Sequence, residues 1–151
     1  MPDHENWTNN FTLFDGITAE VLDFFNTNAE AKSFTAGESI FNEGELDNDL
    51  FLLSSGEVEI IRGLDEPNER KLATLTAPTF FGEMSIIECQ PRSATVRAES
   101  DCKLHVLLGS DLYEVFTKWP DQYAIILHRI ARQMARRLRN ENQDFNTAES
   151  A

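Results

Sequence analysis

The periodicity of apolar positions changes twice along the chain. Between about Ile17 and Asn28, Val21, Leu22, Phe24 and Phe25 recur at helical spacing, with Thr18 where an N-cap would stand and Glu20 in the first turn. That pattern predicts a short amphipathic helix. From Lys32 to Leu108, short runs rich in Phe, Ile, Val, Leu and Thr alternate with turn residues at intervals of about ten. The runs are Ser39–Asn42, Leu50–Ser54, Glu57–Arg62, Lys71–Leu75, Ala94–Ala98 and Lys103–Leu108, punctuated by Gly37, Gly44, Gly56, Gly63 and Pro67-Asn68. This spacing reads as an antiparallel barrel or sandwich rather than as βαβ units. After Ser110 the helical period returns. Ser110 or Asp111 is placed to cap a helix through Thr117, Trp119-Pro120 breaks it, and a second helix follows from about Asp121 to Asn140. Its apolar positions Tyr123, Ile126, Leu127, Ile130, Ala131, Met134 and Leu138 form one stripe.

The expected class is therefore α+β: an antiparallel β-roll over about 30–109, flanked by a short N-terminal helix and by C-terminal helices over about 110–140. Residues 141–151 show no period and read as a frayed tail. No internal repeat, linker or second domain is legible, so residues 1–151 read as one domain.

Charge alters this picture more than composition does. At 151 residues, 41% hydrophobic and 26% charged, the chain has an ordinary globular mix. The net charge of −13 resides wholly in residues 1–110, which hold 20 acids against 7 bases, whereas residues 111–151 hold 6 of each. Gln122 to Asn140 contains Arg129, Arg132, Arg136, Arg137 and Arg139 and no acid. These arginines read first as a solvated helix face, and second as a surface for docking onto the acidic barrel. An acidic body argues against nucleic acid or an anionic membrane as the main partner. No apolar run approaches the roughly 18 residues of a membrane span, and the polar start MPDHENWTNN is unlike a secretory signal. Cys89 and Cys102 have no metal-site spacing, and His4, His105 and His128 share no ligand pattern. A cytoplasmic chain with no metal, cofactor or catalytic residue is expected, and no nucleophile–base pair suggests an enzyme.

Between Thr79 and Val96 the strand pattern is interrupted. Gly82 gives the backbone room for close approach or a positive φ. Glu83 to Glu88 has the length of one or two helical turns, whose first N–H groups would be open to an anion. Arg92 offers a fixed positive fork suited to two phosphate oxygens, with the Ser93 hydroxyl beside it. Glu83 fits the same ligand if its carboxylate accepts from a hydroxyl near the phosphate. The ribose 2′-OH beside a 3′,5′-cyclic phosphate has that geometry.

The segment Phe81-Gly82-Glu83-Met84-Ser85-Ile86-Ile87, followed by Pro91-Arg92-Ser93-Ala94-Thr95-Val96, resembles the phosphate-binding cassette of the cyclic-nucleotide-binding domain family. Gly37, Gly44 and Gly56 fall where that family's barrel turns carry glycines, and the resemblance extends from about Leu13 to Leu138. It implies a short cassette helix and a ligand set of Phe81, Gly82, Glu83, Met84, Ser85, Arg92, Ser93 and Ala94. In that set Glu83 would take the ribose 2′-OH, Arg92 the exocyclic oxygens, and backbone N–H groups the remainder. The ligand implied is cAMP or cGMP; Ser93 is compatible with either base, and cAMP is favoured. The resemblance also implies that the last helix closes over the base. A rival expectation keeps the fold without the ligand response, with a homodimer or partner protein engaged through the helix Asp121–Asn140.

Overall fold

The computed structural model describes residues 7–150, with side chains described for 7–140. Two 3-10 turns, Trp7–Asn10 and Thr12–Phe14, lead into α1 (Ala19–Asn28). Eight strands follow: β1 (Glu30–Phe34), β2 (Ser39–Phe41), β3 (Leu50–Ser55), β4 (Glu57–Arg62), β5 (Arg70–Thr76), β6 (Thr79–Phe81), β7 (Thr95–Ala98) and β8 (Cys102–Leu107). The short α2 (Glu83–Glu88) interrupts them after β6, and α3 (Gly109–Lys118) and α4 (Pro120–Ser150) close the chain.

All strand pairs are antiparallel, in two four-stranded sheets ordered β1-β8-β3-β6 and β2-β7-β4-β5. Alternation along the strands divides the core in two. Phe51 and Leu53 of β3, Leu104 and Val106 of β8 and Phe81 of β6 face the interior between the sheets, together with Phe41, Val58 and Val96. Their neighbours Leu50, Leu52, Leu107 and Phe80 face the opposite way, against Val21, Phe25, Leu112, Val115, Ile126 and Ile130 of the helices. The run Leu50–Leu53 is buried throughout because its strand is covered on both faces. Gly56 makes the β3–β4 turn at φ 94°, where a Cβ would stand 2.4 Å from the Asp101 carbonyl oxygen.

Four local expectations change. Thr18 precedes α1, but its side chain makes no capping bond; its N–H donates instead to Gln122 Oε1 of α4 at 2.8 Å. Helix α3 starts at Gly109 rather than after Ser110 or Asp111, because the Asp49 carboxylate accepts the Gly109 N–H at 2.8 Å. A side chain sixty residues away thus supplies the cap that local sequence was expected to give. The segment before Ile17 is not merely a polar leader. Trp7, Phe11, Leu13 and Phe14 join the helical core, and the Trp7 ring stacks on His105 at 4.2 Å. Finally, α4 continues to Ser150, past the Asn140 at which the apolar stripe ends. Residues 141–150 contain neither Gly nor Pro, so nothing in the backbone chemistry stops the helix there. Ala151 lies outside the described residues.

Candidate functional site

The end of β6 turns into α2 through Gly82, which adopts the left-handed conformation at φ 89°. Only glycine takes this geometry readily, and space reinforces the requirement. A Cβ there would lie 2.8 Å from Arg92 Nη1 and 3.2 Å from both the Asp49 carbonyl oxygen and the Phe51 ring.

Arg92 is 3% exposed. Its guanidinium lies over the Phe41 ring, 4.2 Å from the centroid, with Phe51 behind it. Nη1 donates to the Gly82 carbonyl at 2.8 Å and Nη2 to the Asp49 carbonyl at 2.8 Å. Nε donates to Asp47 Oδ2 at 3.3 Å, and Nη2 also meets Asp47 Oδ1. The backbone around it is tied as firmly: Arg92 N–H donates to the Glu45 carbonyl, and Gly44 N–H donates to the Arg92 carbonyl, both at 2.8 Å. A buried cation needs this degree of pairing, since an unpaired one would be strongly destabilising.

Glu83, 6% exposed, is held from the other side. Arg137 of α4 donates from Nη1 to Glu83 Oε1 at 2.7 Å. Its Nη2 reaches Thr79 Oγ1 at 3.2 Å and the Phe80 carbonyl. Two charge pairs therefore flank Gly82: Arg92 with Asp47 of the β2–β3 loop, and Glu83 with Arg137 of the last helix. Each connects onward to the C-terminal helices, the first through Asp49, which offers its carbonyl to Arg92 and its carboxylate to the start of α3.

The other expected site residues are placed differently. The Phe81 ring is 1% exposed and stacks on Phe51 at 5.4 Å, so this residue supports the site from the core. Ser85 and Ala94 are buried, whereas Met84 and Ser93 are exposed. The Ser93 carbonyl accepts from Arg62 Nε at 3.3 Å. Sequence reasoning missed Asp47 and Arg137. Asp47 was one acid among many in an acidic barrel. Arg137 was read with its neighbours first as solvated surface and second as part of a docking face for the acidic barrel, and its bond to Glu83 matches the second reading.

Beside α2, a cleft of about 260 Å³ opens between Ile86, Cys89 and the aromatic side chains of α3 and α4, Tyr113, Phe116 and Tyr123. Burial pushes the Tyr123 hydroxyl above its ordinary pKa. Among the described residues no His, Cys, Asp and Glu cluster is arranged to hold a metal ion, and no helix is long and apolar enough to cross a membrane.

The Cyclic AMP receptor protein of Thermus thermophilus is 32% identical to this chain over 133 residues, covering 88% of this chain and 60% of that protein. The cAMP-dependent protein kinase regulatory subunit of Mycosarcoma maydis is 26% identical over 133 residues, covering 86% and 25% respectively. Among solved structures, the Thermus thermophilus Catabolite Activator Protein superposes with a TM-score of 0.70 at 31% identity, over 91% of this chain and 62% of that one. The chain thus spans 60% of the length of the first relative and a quarter of the second. The family described as Cyclic nucleotide-binding domain matches residues 31–118, which include both sheets and the whole cassette; the chain belongs to that family.

Proposed function

We propose that the chain binds a 3′,5′-cyclic nucleotide, cAMP in preference to cGMP, and reports its presence through the C-terminal helix. The carrying observation is the pair of buried, opposite charges on either side of Gly82, Glu83 and Arg92. A cyclic nucleotide offers a phosphate anion and a ribose hydroxyl donor within a few ångströms of each other. A fixed guanidinium and a buried carboxylate match those two groups in sign and in hydrogen-bonding role. Backbone N–H groups around Gly82, Met84, Ser85, Ser93 and Ala94 supply further donors, with Phe81 setting the turn from below. The name of the Thermus relative supports adenine over guanine.

The coupling follows from Arg137. A ribose hydroxyl donating to Glu83 would use the same carboxylate that Arg137 holds through Oε1, so ligand and α4 meet on one side chain. A helix position that releases or re-aims Arg137 then binds nucleotide with different affinity from the present one, as any sensor requires. Soluble behaviour without catalysis fits this role, and processes controlled through attached regions of longer relatives lie beyond the chain's own chemistry.

A second reading has its own observation. Arg92 and Glu83 are both already paired within the chain, so the cassette is satisfied without ligand, and Leu138 stands 59% exposed on α4. On this reading the fold serves dimerisation or partner binding through α4. Calorimetry with cAMP and cGMP separates the two. Binding that is abolished in Arg92→Ala, in a variant shown to be folded, supports the sensor. No heat with either nucleotide at millimolar concentration, together with a dimer by ultracentrifugation that is indifferent to nucleotide, supports the second reading.

A further inference from the structure

On the face of α4 next to Arg137, three other arginines converge. Arg129, Arg132 and Arg136, with Gln133 between them, line a cleft of about 160 Å³ that Thr12 and Asp15 close from the N-terminal side. At 3.6 residues per turn these four α4 positions fall within about 100° of arc, so their side chains share one direction.

None of these three arginines is ion-paired among the described residues. Arg129 spends Nη2 on the Asp15 carbonyl at 3.1 Å, while its Nε is buried with no hydrogen-bond partner. In a chain with 26 acids and 13 bases, unpaired arginines are the opposite of what chance packing would leave. Their spacing makes the arrangement unfavourable by itself. Arg132 and Arg136 stand at i,i+4 and Arg129 and Arg132 at i,i+3, where like charges destabilise a helix. A counter-ion would remove that repulsion and satisfy the orphaned Nε.

We propose that this cleft binds a small multivalent oxyanion of the phosphate class, at a site separate from the nucleotide cassette. Guanidinium forks match the paired oxygens of a phosphate, and the Thr12 hydroxyl and Gln133 amide stand ready as additional donors. The space exceeds the roughly 10–15 Å³ that a single ordered water needs. The chain's overall negative charge does not prevent binding, because its field is screened beyond about 8 Å at physiological ionic strength and the arginines dominate inside that range. Asp15 is the one carboxylate in the lining and opposes the anion. The cleft abuts the cassette without belonging to it: Phe80 lines it, and the Phe80 carbonyl is an acceptor of Arg137.

The test follows the arginine Nε–Hε NMR signals of the intact chain during titration with inorganic phosphate, with chloride exchanged to hold ionic strength constant. A saturable shift of the Arg129 signal is expected. Arg132→Gln with Arg136→Gln, both at exposed positions that leave the core intact, weakens that binding by roughly tenfold or more, and Asp15→Asn tightens it. A response that never saturates, one that saturates only at Arg92, or one unchanged in the double variant overturns the proposal. Neither Arg132 nor Arg136 touches the cassette, so a chain that fails to bind cAMP still gives a decisive answer here.

Discussion

Replacing Arg137 with alanine tests whether the tie between cassette and last helix has energetic weight. The substitution removes the donors to Glu83 Oε1, Thr79 Oγ1 and the Phe80 carbonyl, and leaves the Glu83 carboxylate without its cation. Breaking a fully buried ion pair by removing one partner destabilises by about 3–5 kcal/mol. Here the Glu83 side chain is 8% exposed but that of Arg137 is 24% exposed, so water reaches part of the vacated space. The expected loss is therefore smaller, about 2 kcal/mol. With a urea dependence of about 2 kcal/mol per molar for a chain of this size, the unfolding midpoint falls by about 1 M. Glu83→Ala alone leaves an arginine that still has two acceptors and some solvent, and is expected to lose about 1 kcal/mol. The double variant should lose little more than Arg137→Ala, giving a coupling energy of about 1 kcal/mol by equilibrium denaturation without nucleotide. A coupling below about 0.3 kcal/mol would mean that the two changes simply add. In that case the contact is incidental, and the route proposed from ligand to helix fails with it.

Further outcomes follow from other parts of the structure. Gly82→Ala should destabilise by more than about 1 kcal/mol from its positive φ alone, and should also weaken cAMP binding as the new methyl displaces Arg92; unchanged calorimetric affinity would show that the turn relaxes freely. Asp111 is held above its ordinary carboxyl pKa of 3.8 by burial first, and then by Glu114, Glu30 and Asp49. Its folded form disfavours the charge, so the associated stability is present below pH 3.8 and is lost as pH rises through the folded value. Asp111→Asn should accordingly change Tm more favourably at pH 7 than at pH 3, a difference that thermal scans at the two pH values can read. Cys89 is exposed, whereas Cys102 is buried and its thiol is pushed upward chiefly by that burial. A chromogenic disulfide should therefore react rapidly with Cys89 in the native chain and with Cys102 only on unfolding; two fast thiols would show that β8 opens readily.

What could be read from the sequence was whatever depends on local chemistry. The β-strand runs around Leu50–Ser55 and Glu57–Arg62 announce themselves by β-branched and aromatic content between glycines, and the structure places strands there. The cassette was legible because Gly82, Glu83 and Arg92 lie within eleven residues of one another. The partners of those charges were not legible. Asp47 meets Arg92 across 45 positions and Arg137 meets Glu83 across 54, and nothing in either local neighbourhood distinguishes them from surface charges. The same holds for the start of α3, where Asp49 does from afar what Ser110 was expected to do at hand. Trp7 escaped notice because one aromatic residue in a polar stretch has no period; its burial is decided by a groove formed from residues far along the chain.

The strand order also determines when the molecule can form during synthesis. β8 lies between β1 and β3, and β7 lies between β2 and β4, so the interior of each sheet is completed by the last two strands made. At about 5–20 residues per second, roughly 3–10 s separate the emergence of β3 from that of β8. Through that interval the apolar run Leu50–Leu53 keeps one hydrogen-bonding edge unpaired, open to any other nascent chain. Substitutions that delay the docking of β7 and β8 into their two sheets would therefore appear first as aggregation at the ribosome, before any change in the unfolding curve of the purified protein.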